Sequence, residues 1–170
     1  MSEKFTEKLR DGSVVCVRPI TRNDVEHERA FVEGLSPEAK HFRFLGGIGH
    51  LTEEQLLRFC DIDRQHEMAF VALVQSDAGD IQVGVARFVA EPGTREAEIA
   101  ITVADKWKGK GLGRILLEHL INYARRFGVK RLYSIELAAN IDMQDLMHEF
   151  GFGTQRDPDD ATQLICSLDL

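Results

Sequence analysis

The segment Val103–Leu120, VADKWKGKGLGRILLEHL, sets glycines at 109, 111 and 113 among lysines at 106, 108 and 110. So much glycine opposes a regular element through the segment, because each glycine inside a helix or strand costs roughly 0.5–1 kcal/mol relative to alanine. The flanks, by contrast, are regular. Before the glycines, EAEIAITV puts Ala97, Ile99, Ile101 and Val103 on one face and Glu96, Glu98, Ala100 and Thr102 on the other, the two-residue period of a strand. After them, Leu112, Ile115, Leu116, His119, Leu120, Tyr123 and Phe127 recur at helical spacing, opposite Arg114, Glu118, Asn122 and Arg125. Gly128 then closes the helix. A strand, a short cationic glycine loop and a helix must follow one another here.

Three uses of such a loop compete. A Walker A loop needs GxxxxGK followed by Ser or Thr, and no glycine here has that continuation. A dinucleotide fingerprint needs GxGxxG, whereas this loop reads GxGxG after what the pattern makes an antiparallel hairpin arm. The third use is a pyrophosphate grip, made of free amides at a helix N-terminus, glycines that admit close approach, and lysines at the rim. Spacing alone leaves that reading level with a plain helix entry carrying solvated lysines.

The rest of the chain reads as mixed α/β. SVVCVRPI is a first strand after the Asp11-Gly12 turn, closed by Pro19. Thr21 with Asp24 starts a helix with Val25, Ala30, Phe31 and Val32 on one side, and RNDVEHER reads as its charged face. Ser36-Pro37 starts a second helix, which runs towards Phe44 and breaks at GGIG. Thr52 and Gln55 form a capping box for a third, with Leu56, Leu57 and Phe59. MAFVALV, nearly all apolar, and IQVGVARFVA are strands joined by the SDAGD turn. RLYSIEL is a strand, NIDMQDLMHEF a helix stopped at Gly151, and TQLICSLDL a last strand. An antiparallel meander followed by β-α-β-α-β is the expected order.

Composition narrows the partners. At 170 residues with 44% hydrophobic content, one domain with one core is expected. The net charge of −7 argues against nucleic acid, whose affinity rests on phosphate neutralisation, and favours a cationic, neutral or lysine-bearing substrate. Cys16, Cys60 and Cys166 are odd in number and far apart, so buried reduced thiols are expected rather than a disulfide framework. His41, His50 and His66 lack ligand spacing, and no metal is expected. MSEKFTEKLR has no apolar run and no stretch has the length of a membrane span, so a cytoplasmic protein without membrane partners is expected.

VADKWKGKGLG resembles motif A of the GNAT acetyltransferase superfamily, with Lys108 in its Gln/Arg position and Gly111 and Gly113 matching its glycines. A second GNAT signature, Asn-x-x-small-x-x-x-Tyr-x-x-x-Gly-Phe, is similar to the run through Asn140, Met143, Met147, Gly151 and Phe152, with Met147 at the tyrosine position. Within the superfamily, RPI, MAFVALV, GVARFV, AEIAITVADKWKGKGLG, LAAN and LDL resemble the acetyltransferase domain of Pat-type protein lysine acetyltransferases.

The resemblance implies a single GNAT N-acetyltransferase domain over residues 1–170, with 1–12 a loosely ordered segment. It implies the acyl-CoA N-acyltransferase fold, a mostly antiparallel sheet flanked by helices. It implies acetyl-CoA as donor, with free coenzyme A as product. The main chain of Ile101, Thr102 and Val103 then bonds the pantetheine arm. The loop of Lys108, Gly109, Lys110, Gly111, Leu112, Gly113 and Arg114 holds the pyrophosphate, and Asn140 and Met143 line the far side of the arm. Glu98 of AEIA matches the family's general base. Such a base is needed because an amine with a pKa near ~10.4 is only about one part in a thousand neutral at pH 7. Met147 has no proton to donate, but a thiol pKa near ~8.5 makes the thiolate a tolerable leaving group. His119 reads as a packed histidine, and Trp107 as a packing anchor. The implied acceptor is a protein lysine, for instance on an acyl-CoA synthetase. A small amine, or a non-catalytic acyl-CoA-binding module, is the alternative.

Overall fold

The computed structural model describes residues 3–46 and 50–170. Eight strands form one sheet in the order β1-β2-β3-β4-β5-β6-β8-β7. They are β1 (Phe5–Lys8), β2 (Val14–Pro19), β3 (Glu67–Ser76), β4 (Gly79–Ala90), β5 (Glu96–Val103), β6 (Arg131–Leu137), β7 (Gly153–Arg156) and β8 (Gln163–Asp169). Every pairing is antiparallel except that of β5 with β6. The helices are α1 (Val25–Glu33), α2 (Pro37–Arg43), α3 (Glu53–Cys60), α4 (Leu112–Phe127) and α5 (Ile141–Glu149). None is long and apolar enough to cross a membrane.

The alternation of β5 decides what lies on each side of the sheet. Ala97, Ile99 and Ile101 join a core with Leu112, Leu116, Leu117 and Leu120 of α4, where Phe70, Phe88 and Met147 are also buried. Val85 of β4, opposite Thr102, faces a second, smaller core with Phe31, Leu35, Ala39 and Cys60 from α1 to α3. Glu98, Ala100 and Thr102 therefore look towards α1–α3, and α4 lies behind them. Gly84 lets α4 sit down on the sheet, since a Cβ there would come within 2.9 Å of the Leu116 side chain.

Several expectations are altered. Residues 5–8, expected to be loosely ordered, form β1 on the edge of β2. The exposed four-residue strand β7 adds a second element that the hydropathy pattern does not mark. RNDVEHER is a solvated face only in part: Arg22 and Glu26 are exposed, but Asp24 and Glu28 are each only 2% exposed. They are buried because partners from distant elements meet them, Arg18 for Asp24 and Gln82, at 2.5 Å, for Glu28. Helix α2 ends at Arg43, and residues 47–49 of the expected GGIG break lie outside the described residues. Cys60 and Cys166 are buried thiols, and Cys16 is half-buried.

Candidate active site

The sheet opens along one seam. The parallel ladder of β5 and β6 has three rungs, Glu96 with Arg131, Ala97 with Leu132 and Glu98 with Tyr133, and then stops. Beyond it β5 continues along β4 to Val103, while β6 follows β8 to Leu137. The Ala104 amide donates to Val83 O at 2.9 Å. By the alternation of antiparallel bonding, the main-chain groups of Ile101 and Val103 point the other way, into the gap.

A cleft of about 540 Å³ occupies this divergence. It brings together Ile101, Thr102, Val103, Lys108, Gly109, Gly111, Leu112, Gly113, Arg114, Asn140 and Met143. Two expected residues stand outside its lining, Lys110 and Glu98. The Lys110 ammonium turns away, paired with Asp11 at 3.0 Å and lying 4.5 Å from the centre of the Trp107 ring. Asp11 is held down to about 2 by the Ser13 amide and by Lys110. Trp107 thus serves as a platform for Lys110 and packs against the main core.

At the loop end, Gly111 is the N-cap of α4 with φ +89 and contributes no side-chain cap. The first helical bond is Ile115 N to Gly111 O at 3.2 Å, so the amides of Leu112, Gly113 and Arg114 have no intrahelical acceptor. At Gly109, also at positive φ, nothing lies within 4 Å of the place a Cβ would take. Open amides, a bare main-chain cradle and a helix N-terminus fit the pyrophosphate of acetyl-CoA. The long gap beside Ile101 and Val103 fits its amide-bearing arm. Gly113 has a packing duty as well, because a Cβ there would stand 3.3 Å from Leu146 of α5. Asn140 caps α5, its Oδ1 accepting from Met143 N at 3.4 Å, and so fixes the far wall.

The other end is rich in charge. Glu98 lies on the last rung, with its side chain open to solvent on the α1–α3 side. Partial burial, with Glu91 nearby, raises its pKa above the ordinary carboxylate range, against the pull of Arg43. Arg43, from α2, lines the cleft and lies near the rings of Phe44 and Phe59, at 5.1 and 5.8 Å. Burial lowers its pKa to about 10. Glu136 of β6, 6% exposed, also lines the cleft. It accepts from the Ser134 hydroxyl, and burial raises its pKa. Neither Arg43 nor Glu136 was legible as a cleft residue, since one ends a short helix and the other sits within an ordinary strand pattern.

Neither tyrosine of the chain is at hand as an acid for the leaving sulfur. The Tyr133 hydroxyl donates to Glu91, and burial with that bond raises its pKa. Tyr123 is packed among Phe70, Phe88 and Phe127. Met147 is fully buried in the core, outside the cleft. His119 is packed beside Phe5 and bonded to Glu7 at 2.7 Å. Among the described residues no group of three or more His, Cys, Asp or Glu is arranged to hold a metal ion.

A sheet split after three parallel rungs, with a glycine loop and helix N-terminus at the mouth of the split, defines an acyl-CoA N-acyltransferase. Residues 36–152 match the Acetyltransferase (GNAT) family, and the chain belongs to that family as an acetyl-CoA-dependent N-acetyltransferase. It is 45% identical over 168 residues to an acetyltransferase of Pseudomonas aeruginosa, covering 99% of this chain and 90% of that protein. It is 29% identical over 145 residues to the acetyltransferase Pat of Mycolicibacterium smegmatis, covering 85% of this chain but only 43% of that longer protein. The crystal structure of the GNAT domain of Streptomyces lividans PAT superposes with a TM-score of 0.88 at 28% identity, covering 98% of this chain and 97% of that one.

Proposed function

We propose that the enzyme acetylates a lysine side chain presented on a protein surface, most simply that of an adenylate-forming acyl-CoA synthetase, with Glu98 as general base. The observation that carries this is the last rung of the parallel ladder. It sets Glu98 at the point where β5 and β6 part, beside the gap that takes the donor arm. Partial burial raises the Glu98 pKa, which brings the carboxylate closer in basicity to the amine it serves than an ordinary surface carboxylate.

The chemistry balances without a metal or a covalent enzyme intermediate. The acceptor nitrogen loses a proton towards Glu98, directly or through one water, and attacks the thioester carbonyl carbon. A C–N bond forms, the C–S bond breaks with its electron pair leaving on the sulfur, and the second proton of the acylated nitrogen passes to the departing thiolate or to water. Main-chain amides in the gap are placed to hold the donor in line for attack. The loop Lys108–Arg114 carries the pyrophosphate, with Lys110 holding the loop by way of Asp11 rather than touching the ligand. Asn140 and Met143 form the opposite wall.

A lysine acceptor is supported by the resemblance to Pat-type enzymes, by the net charge of −7, and by Glu91, Glu96 and Glu98 gathered round Tyr133. The test is competition in one tube among an acyl-CoA synthetase, polyamines, an aminoglycoside and free amino acids, with labelled acetyl-CoA. Label on one synthetase lysine is expected. Label confined to the small amines makes the enzyme a small-molecule acetyltransferase instead.

A further inference from the structure

Four cations surround the entry to α4, and three of them are already engaged. Lys108 is 3.5 Å from Asp105, Lys110 3.0 Å from Asp11 and Arg114 3.0 Å from Glu149. The fourth, Arg10, comes from the turn between β1 and β2, far away in sequence. It lines the cleft, and among the described residues its guanidinium has no hydrogen bond or ion pair.

Its position is fixed by the main chain. Arg10 N donates to Lys110 O at 3.0 Å, and the turn is closed by Gly12 N to Leu9 O at 3.0 Å, with Leu9 buried. The side chain then runs over Gly111, with Cγ, Cδ and Nε at 3.6, 3.7 and 3.4 Å from the place of a Cβ. That carries the guanidinium across the N-cap of α4, next to the amides that have no intrahelical acceptor.

We infer that Arg10 is a donor-binding residue whose guanidinium pairs with the pyrophosphate of acetyl-CoA. The inference rests on the assignment of the loop Lys108–Arg114 to that pyrophosphate. Lys108 and Arg114 meet the ligand with a carboxylate already beside each, which offsets much of their charge, and Lys110 is turned to Asp11. Arg10 brings an uncompensated charge and a planar fork of N–H donors suited to phosphate oxygens. The hairpin of β1 and β2 is then part of the donor site.

The test is calorimetric titration of the full chain with coenzyme A and with 3′-dephospho-coenzyme A, using wild type, Arg10→Ala, Arg10→Lys and Gly111→Val. Arg10→Ala is expected to weaken both ligands about tenfold, the order of one charge-assisted pair. Arg10→Lys should restore part of that loss. The melting temperature without ligand should not move, because the side chain is exposed and unpaired, which separates lost affinity from lost fold. Wild-type affinity in Arg10→Ala overturns the inference. So does a loss seen with coenzyme A alone, which would place Arg10 on the 3′-phosphate. If Gly111→Val binds normally, the loop assignment itself fails. If Gly111→Val loses binding and Arg10→Ala does not, the loop stands and Arg10 is excluded.

Discussion

Arg18 of β2 grips both carboxylate oxygens of Asp24, at 2.8 and 2.7 Å, where the chain turns from the sheet into α1. Thr21 N adds a third bond at 2.7 Å. Burial opposes the charge on Asp24, but Arg18, the Thr21 amide and His27 outweigh it and hold the carboxyl well below the usual range.

Asp24→Asn should therefore cost about 3–5 kcal/mol, because it leaves Arg18 largely buried without its counter-charge. The pH dependence has a definite sign. A folded-state pKa below the unfolded value gives stability that is present above about pH 4 and is lost as the pH falls towards the depressed pKa. Denaturant midpoints from pH 7 to pH 3 should drop steeply in the wild type and less so in Asp24→Asn. Parallel curves would refute this.

Glu98→Gln preserves shape but cannot accept a proton, so kcat should fall by roughly 10²–10⁴ while acetyl-CoA still raises the melting temperature. In the wild type, kcat/KM should decline on the acid side at a pH above the ordinary carboxylate value, because burial raises the Glu98 pKa. Turnover within a few-fold of wild type would remove Glu98 from the proton path.

Gly111→Val meets two obstacles, a φ of +89 and the Arg10 side chain 3.4 Å from the new Cβ. A β-branched residue in that backbone region costs of order 1–3 kcal/mol, so the unliganded protein should melt earlier. The decisive reading is the shift on adding acetyl-CoA. It should be clear in the wild type, near zero in the variant, and absent with NAD or ATP in both. A response to NAD equal to that with acetyl-CoA would contradict the donor site.

Met147→Ala is a core substitution. With the side chain fully buried, about 2–5 kcal/mol of stability should go, by transfer and cavity costs together. The basic limb of the pH–rate profile should keep its wild-type position in whatever fraction remains folded. Loss of that limb would mean that residue 147 reports on an acid after all.

How much was legible in the sequence follows from how local each signal was. The strand, loop and helix from Glu96 to Phe127 could be read because alternation, glycine spacing and helical period all act within a few residues. The expectation for Asn140 and Met143 came from resemblance, and both residues line the cleft. What escaped was set by partners far along the chain. The four exposed residues of β7 have no pattern until β8 lies beside them. Asp24 and Glu28 look like surface charges until Arg18 and Gln82 arrive from β2 and β4. Lys110, at the centre of the motif, is claimed by Asp11 from the first turn, and Arg10 from that turn lines the cleft instead. The three-rung limit of the β5–β6 ladder has no counterpart in the composition of either strand.

That limit also has a mechanical side. Five strands lie on one side of the seam and three on the other, and within the sheet the ladder that joins the two plates is those three rungs, with the core behind them shared by both. The amides of Ile101 and Val103, in the middle of an eight-stranded sheet, face a gap as an outermost strand faces solvent. Their hydrogens should exchange with deuterium faster than those of Ile99's partner strand β4, which has neighbours on both flanks. With the donor arm laid in the gap, its amides stand in for the missing rungs and that exchange should slow. On the donor placement proposed above, the substrate serves for a moment as a ninth strand, and each release of coenzyme A unzips it again.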